Sequence, residues 1–295
     1  MSTLTLISDS PIRASVIAEV LGITDARIRC TTNRTSSHTV PDSPAWYVAR
    51  INGPWEEEEV KHARSILLER FAAATTVIVP DALAVDPPKL VVTDVDATLI
   101  TEEVIEELAR HAGHFEEVQA ITASAMNGEI DFDRSLHLRV ATLKGLPQSV
   151  LNQVALSVHV RDGVEDFING VHRCGGRFGV VSGGFSQVLA PLAQRLKLDF
   201  YLANDLEVEA GVLTGRINGD IVNPHAKVQA FHQWLHTVGS TWLHTVAMGD
   251  GANDLPFMEE AGLAVAFCAK PAVRTQIPDQ VMVPSFAPML PILGI

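Results

Sequence analysis

Two aspartates, Asp94 and Asp96, stand two residues apart at the end of the apolar run Leu90-Val91-Val92-Thr93. In an extended chain, side chains two residues apart project to the same side. Two carboxylates held that close repel unless one carries a proton or a cation sits between them. The pair therefore suits a division of labour: one carboxylate binds metal and attacks, and its protonatable neighbour donates to a leaving oxygen. Taken alone, the stretch is matched as well by a loop with two surface aspartates.

Three further stretches carry polar groups at the ends of apolar runs. Val180-Val181 leads into Ser182-Gly183-Gly184-Phe185, where glycines allow a tight turn and free N–H groups at the following helix start can hold an anion. Lys227 stands at the front of a helix expected over Ala226–Leu235, where a cation opposes the dipole; a surface lysine is the plain alternative. Thr245-Val246-Ala247-Met248 runs into Gly249-Asp250-Gly251-Ala252-Asn253-Asp254, an oxygen-rich turn suited to a hard cation such as Mg²⁺.

These groups need strand ends to carry them. Short apolar runs at Leu90–Thr93, Phe178–Val181, Phe200–Ala203, Thr245–Met248 and Ala264–Phe267 alternate with helical stretches, which predicts an α/β fold with a Rossmann-like open parallel sheet. Ligands of such sheets bind beyond the carboxyl ends of the strands. From Glu102 to about Asp162 the pattern is helical only, so a helical cap is expected as an insertion at about 103–162. Its first helix, Glu102–Ala112, has Gly113 as C-cap. Pro191 is expected to kink or shorten the helix after Gly184.

The stiff break Asp86-Pro87-Pro88 predicts a boundary between residues 1–86 and 89–295. Before it, strands at Thr3–Ile7, Arg27–Thr32, Ala45–Ile51 and Thr75–Val79 and helices at Ile12–Leu21 and Glu56–Ala73 give the order β-α-β-β-α-β of a ferredoxin-like α+β module. Glu56 to Glu59 reads as a solvated first helical turn rather than a metal site.

The chain has 295 residues, 47% hydrophobic and 19% charged, with a net charge of −13. Such a composition can bury a core and excludes disorder and coiled-coil readings. The acidity disfavours nucleic acid as a partner. Cys30, Cys174 and Cys268 lack paired spacing and are expected to be small buried hydrophobes. The start shows no basic leader, and no stretch approaches a membrane span, so no membrane partner and a cytoplasmic location are expected.

Together, DVDATLI, VVSGG, Lys227 and GDGANDL, in that order, resemble the haloacid-dehalogenase (HAD) superfamily of aspartate-nucleophile phosphatases, and within it the phosphoserine phosphatases. Glu103, Ala125-Met126-Asn127-Gly128, Phe132, Ser135 to Val140, and Ala203 to Val208 extend the match over about residues 89–275. The resemblance implies Mg²⁺-dependent hydrolysis of O-phospho-L-serine to L-serine and phosphate, the last step of serine biosynthesis. Asp94 would be the nucleophile and Asp96 the acid/base. Asp94, Asp250 and the Asp96 carbonyl would hold the metal, with Thr98, Asn253 and Asp254 in support. Ser182, Gly183 and Lys227 would hold phosphate; Glu103 and Arg139 would meet the substrate ammonium and carboxylate; Met126 and Phe132 would close the cap. Ala97 departs from the usual Ser of that motif. The first module resembles ACT-like modules in element order and length, which implies a homodimer contact or an L-serine effector. Another small phosphate, phosphoryl transfer to homoserine, a signalling receiver, or a non-catalytic amino-acid-binding regulator are the competing readings.

Overall fold

A computed structural model describes residues 2–32, 45–126 and 128–295. The first elements are β1 (Thr3–Ser8), α1 (Ala14–Leu21), β2 (Ile28–Thr32), β3 (Tyr47–Asn52), α2 (Glu57–Arg70) and β4 (Thr75–Val79). Their sheet has the order β2-β3-β1-β4 and is antiparallel throughout, as expected of a ferredoxin-like arrangement. The glutamate run opens α2: the Glu56 N–H donates to Glu59 Oε2 at 2.8 Å, and Lys61 pairs with Glu57 one turn on.

Every residue of β1 is buried, although a sheet covered on one face buries alternate residues. Leu4 and Leu6 pack with Ile17, Val60 and Leu67 from the two helices. Ile7 faces the other way and joins Trp46, Val48, Val77 and Val79 in the core of the rest of the chain. At that seam Arg64 is ion-paired with Asp279, and the Ile78 N–H donates to Asp279 Oδ1 at 2.7 Å.

After a short helix α3 (Asp81–Val85) comes the central strand β5 (Leu90–Thr93). Four helices then form the insertion: α4 (Val104–Ala112), α5 (Phe115–Met126), α6 (Phe132–Ala141) and α7 (Ser149–Ser157). Gly113 ends α4 in the left-handed conformation at φ 76°, as its position suggests. The rest is α8 (Val164–Arg173), β6 (Arg177–Phe185), α9 (Ser186–Leu196), β7 (Phe200–Glu209), β8 (Val212–Asn218), α10 (Pro224–Val238), β9 (Thr245–Gly249), α11 (Leu255–Met258), β10 (Leu263–Phe267), α12 (Pro271–Gln276), β11 (Gln280–Val281) and α13 (Met289–Leu293). The sheet order is β11-β10-β9-β5-β6-β7-β8, parallel except where β8 returns along β7.

Several expectations change. Helix α9 runs through Pro191, because Leu189, Leu192, Ala193 and Leu196 are buried against the sheet on either side of it. Strand β8 was not foreseen; its Thr214-Gly215-Arg216 centre hides the alternation, and pairing with β7 decides it. The hairpin braces the insertion, with Leu213 N–H donating to Leu146 O at 2.9 Å and Gly145 N–H to Leu213 O at 2.8 Å. Cys30 is exposed and Cys174 only partly buried, against expectation, whereas Cys268 is partly buried and packs against the main core. Among the described residues, no helix is long and apolar enough to cross a membrane.

Candidate active site

The carboxyl ends of β5, β6 and β9 meet beneath the helical insertion, around a cavity of about 440 Å³. Asp94, Asp96, Glu103, Phe132, Arg139, Gly183, Asp250 and Asn253 line it. Thr98, Ser182, Lys227 and Asp254 are buried, as a supporting layer. The side chain of Met126 and all of Asn127 lie outside the described residues.

Strand β5 leads directly into Asp94, whose N–H donates to Met248 O at 2.9 Å. The chain then turns through Val95–Leu99, with Ala97 at φ 54°. A residue with a Cβ in that left-handed region costs about 1–2 kcal/mol, so the surroundings must hold it there. Asp96 Oδ1 accepts from the Val104 N–H at 2.8 Å and Oδ2 from the Ser182 hydroxyl at 2.9 Å. Ser182 Oγ accepts in turn from the Gly184 N–H at 2.7 Å. Position 184 admits no side chain, since a Cβ there would stand 2.6 Å from Asp96 Oδ2.

Lys227 is the opposite of a surface lysine. It is 0% exposed, and its Nζ lies 2.6 Å from Asp94 Oδ1 and 2.7 Å from Asp254 Oδ1. It sits in the first turn of α10, which Asn223 caps through its Oδ1 and the Ala226 N–H at 3.1 Å. Burial opposes its charge, but Asp254 and Asp94 outweigh that and hold the ammonium above its ordinary range.

Asp94, Asp250 and Asp254 each offer an oxygen within 4.8 Å of the others. Burial pushes Asp94 well above the usual carboxylate range, and Asp254, Asp250 and Asp96 add to it against the pull of Lys227. Burial also raises Asp96 and Asp254. Lys227, and Lys270 at 3.2 Å from Asp250, are two cations against the four carboxylates Asp94, Asp96, Asp250 and Asp254, and an all-oxygen donor set suits a hard divalent cation. The residues present fit such an ion.

The profile of the haloacid dehalogenase-like hydrolases matches residues 91–259. This chain belongs to that family. Among HAD relatives, a Streptococcus thermophilus protein named phosphoserine phosphatase is 45% identical over 69% of this chain and 95% of its own length. A Streptomyces coelicolor protein of the same name is 48% identical over 70% of this chain, which spans only 50% of that relative. Among solved structures, a HAD-family hydrolase from Salmonella enterica covers 98% of both chains at 28% identity and a TM-score of 0.81. A substrate-bound phosphoserine phosphatase complex covers 70% of this chain and 99% of its own, at 35% identity and a TM-score of 0.66.

On this HAD framework, α4 and α6 bring Glu103 and Arg139 into the cavity. Burial and the nearby Asp96 push Glu103 up to about 7, against Lys270. Phe132 reaches the Ser182-Gly183-Gly184 stretch, close enough that a Cβ on Gly183 would meet its ring at 3.1 Å. Sequence reasoning passed over Lys270 and Arg161, and it offered Asn204 only within the matched stretch Ala203 to Val208, without a role. Lys270 lines the cavity from beyond β10, 3.2 Å from Asp250 and 3.9 Å from Glu103. The strand-end rule that singled out Asp250 also applies after Phe267 and would have flagged it. Asn204, 1% exposed, ties the Gly183 carbonyl (2.8 Å) to the Val222 N–H (2.8 Å). Arg161 reaches the Ala97 turn, and nothing local marks it.

Proposed function

We infer that this chain is a divalent-metal-dependent phosphoserine phosphatase, releasing L-serine and phosphate through an aspartyl-phosphate. The observation that carries this reading is one cavity lined at once by the Asp94–Asp96–Asp250 carboxylates, the Gly183 loop, and the oppositely charged Glu103 and Arg139. A generic phosphatase has no use for that last pair. Phosphoserine offers an ammonium to a carboxylate and a carboxylate to a guanidinium, which can bind it in two parallel hydrogen bonds.

In the first step Asp94 attacks phosphorus, the bond from phosphorus to the seryl oxygen breaks, and Asp96 gives its proton to that oxygen. In the second, Asp96 takes a proton from water, the water oxygen attacks phosphorus, and the acyl-phosphate bond breaks to restore the Asp94 carboxylate. The raised Asp96 suits both roles, since it keeps a proton available and can take it back. Lys227, the Ser182 hydroxyl and the Gly183 N–H serve the phosphoryl oxygens. Phosphoryl transfer depends mainly on such positioning and charge. Mg²⁺, held by Asp94, Asp250 and the Asp96 carbonyl, would supply positive charge against the phosphoryl group. Thr98, Asn253 and Asp254 support that site, Phe132 closes over the substrate, and the enzyme works in the cytoplasm.

The division of labour extends to the chain: residues 1–86 form an ACT-like module, and 89–295 the phosphatase with its cap at about 103–162. A phosphate-release panel tests the substrate, comparing O-phospho-L-serine with phosphothreonine, phosphoethanolamine and sugar phosphates, with and without homoserine. Phosphoserine is expected to be hydrolysed best, to stop with EDTA and to recover with Mg²⁺. A preference for a sugar phosphate, or faster turnover with homoserine as acceptor, overturns the reading.

A further inference from the structure

The strained turn at Ala97 is held from outside its own stretch of chain. Arg161 Nε donates to the Thr98 carbonyl at 2.9 Å, and Arg161 Nη2 to the Ala97 carbonyl at 2.7 Å. The Arg161 N–H donates to Leu99 O at 3.0 Å, and its guanidinium lies 5.7 Å from the centre of the Phe267 ring on β10. One side chain thus grips two successive carbonyls of the turn that follows Asp96. From the other direction, the Ala97 N–H donates to Glu102 O at 3.0 Å.

Arg161 also belongs to the insertion's return path. The outgoing and returning linkers pair as a small ladder: Ile100 bridges Val160, and the Thr101 N–H donates to His159 O at 3.0 Å. His159 and Glu102 are joined side chain to side chain at 2.6 Å. The residue that grips the turn therefore lies on the returning linker, three residues before α8 begins at Val164.

We propose that Arg161 is a positioning residue: it clamps the Ala97 turn in its left-handed conformation, fixing Asp96 for proton transfer and tying that alignment to the seating of the cap. The proposal rests on the acid/base role inferred for Asp96. Arg161 does not line the cavity, so it acts on Asp96 through the backbone and not on the substrate. A guanidinium suits the task because its planar fork can serve two acceptors at once, which an ammonium does less well.

The test compares wild type, Arg161→Ala and Arg161→Lys, all with Mg²⁺, on O-phospho-L-serine and p-nitrophenyl phosphate. For phosphoserine, Arg161→Ala should lower kcat about 10- to 100-fold, within the range of a lost or misaligned general acid, and leave KM within about 2-fold. Nitrophenolate needs no proton to leave, whereas attack by water still needs Asp96. On that substrate the variant should show a full burst of one nitrophenolate per enzyme and then turn over slowly, with a larger ratio of burst rate to steady rate than wild type. Arg161→Lys should fall between, and added guanidinium at millimolar concentration should partly restore Arg161→Ala. An unchanged kcat, or a burst amplitude that falls in proportion to kcat, overturns the proposal; the latter means fewer folded molecules. If Arg161→Ala does not fold by circular dichroism, the same ratio in Arg161→Lys decides. Wild type inactive on phosphoserine but active on the aryl phosphate would refute the substrate reading and leave the burst comparison to judge Arg161.

Discussion

The two sheets of this protein bury polar groups in opposite ways. In the N-terminal sheet and its helices, the buried polar residues among the described ones are hydroxyl-bearing: Thr3, Thr5, Ser8 and Thr76. Beneath the cap, the buried set includes Asp94, Asp250, Asp254 and Lys227. A buried hydroxyl needs one partner, which Thr5 finds in Val77 O at 2.8 Å and Thr76 does not find among the described residues. A buried charge needs several, and a cluster of like charges is tolerated only where function repays the destabilisation. The first region is built to be stable and to cover, and the second carries strain and chemistry. The doubly buried β1 makes the same point, since its second face is part of the larger core.

The largest expected effect belongs to the second region. Asp94→Asn should lower turnover by about 10⁴-fold or more. Its melting temperature in EDTA should hold or rise, because one of three crowded carboxylates becomes neutral. Phosphate release and a thermal melt read the two separately, and loss of folding with loss of activity would break the contrast. Next, Lys227→Met leaves Asp94 and Asp254 without their shared cation. Urea denaturation in EDTA should show a loss of about 3–5 kcal/mol, and a near-neutral result would mean the lysine is not what holds that cluster together.

Arg139→Ala should impair phosphoserine about 10- to 100-fold more than an aryl phosphate, since a lost charge-assisted contact is worth a few kcal/mol at most. Equal losses on both substrates would remove Arg139 from recognition. Across the seam, Arg64→Ala strands the mostly buried Asp279 and should cost about 3 kcal/mol in denaturation, with KM unchanged. A changed KM at unchanged stability would give the N-terminal region a part in the chemistry and undo the contrast. The smallest effect concerns pH. With Glu103 pushed up to about 7, falling pH gives it a proton and removes its attraction for the substrate ammonium. KM for phosphoserine should rise as pH drops through that value and level off above it. Glu103→Gln should flatten the curve, since the substrate phosphate alone would otherwise explain it.

Much of this was legible from residue order because it is local. The strands at Leu90, Phe178 and Thr245 announce themselves as apolar runs, and the polar groups just beyond them fall at strand ends by the geometry of any open parallel sheet. Gly113 as a cap and the first turn of α2 follow from backbone and dipole rules that act within a few residues. Strand β8 was not legible, because its partner and not its own pattern defines it.

By itself, then, the sequence determined which groups stand at the strand ends and the order in which the chain delivers them. Only the tertiary structure decided what those groups experience. Lys227 is 133 residues from Asp94 and 27 from Asp254, and its burial is bearable only because both arrive. Arg161 is 64 residues from the Ala97 carbonyl it holds. Ile7, Val77 and Val79 show an apolar pattern, but what covers them is set by the other half of the molecule. Local sequence governs backbone geometry over a few residues, whereas desolvation and charge pairing depend on what the fold brings within a few ångströms.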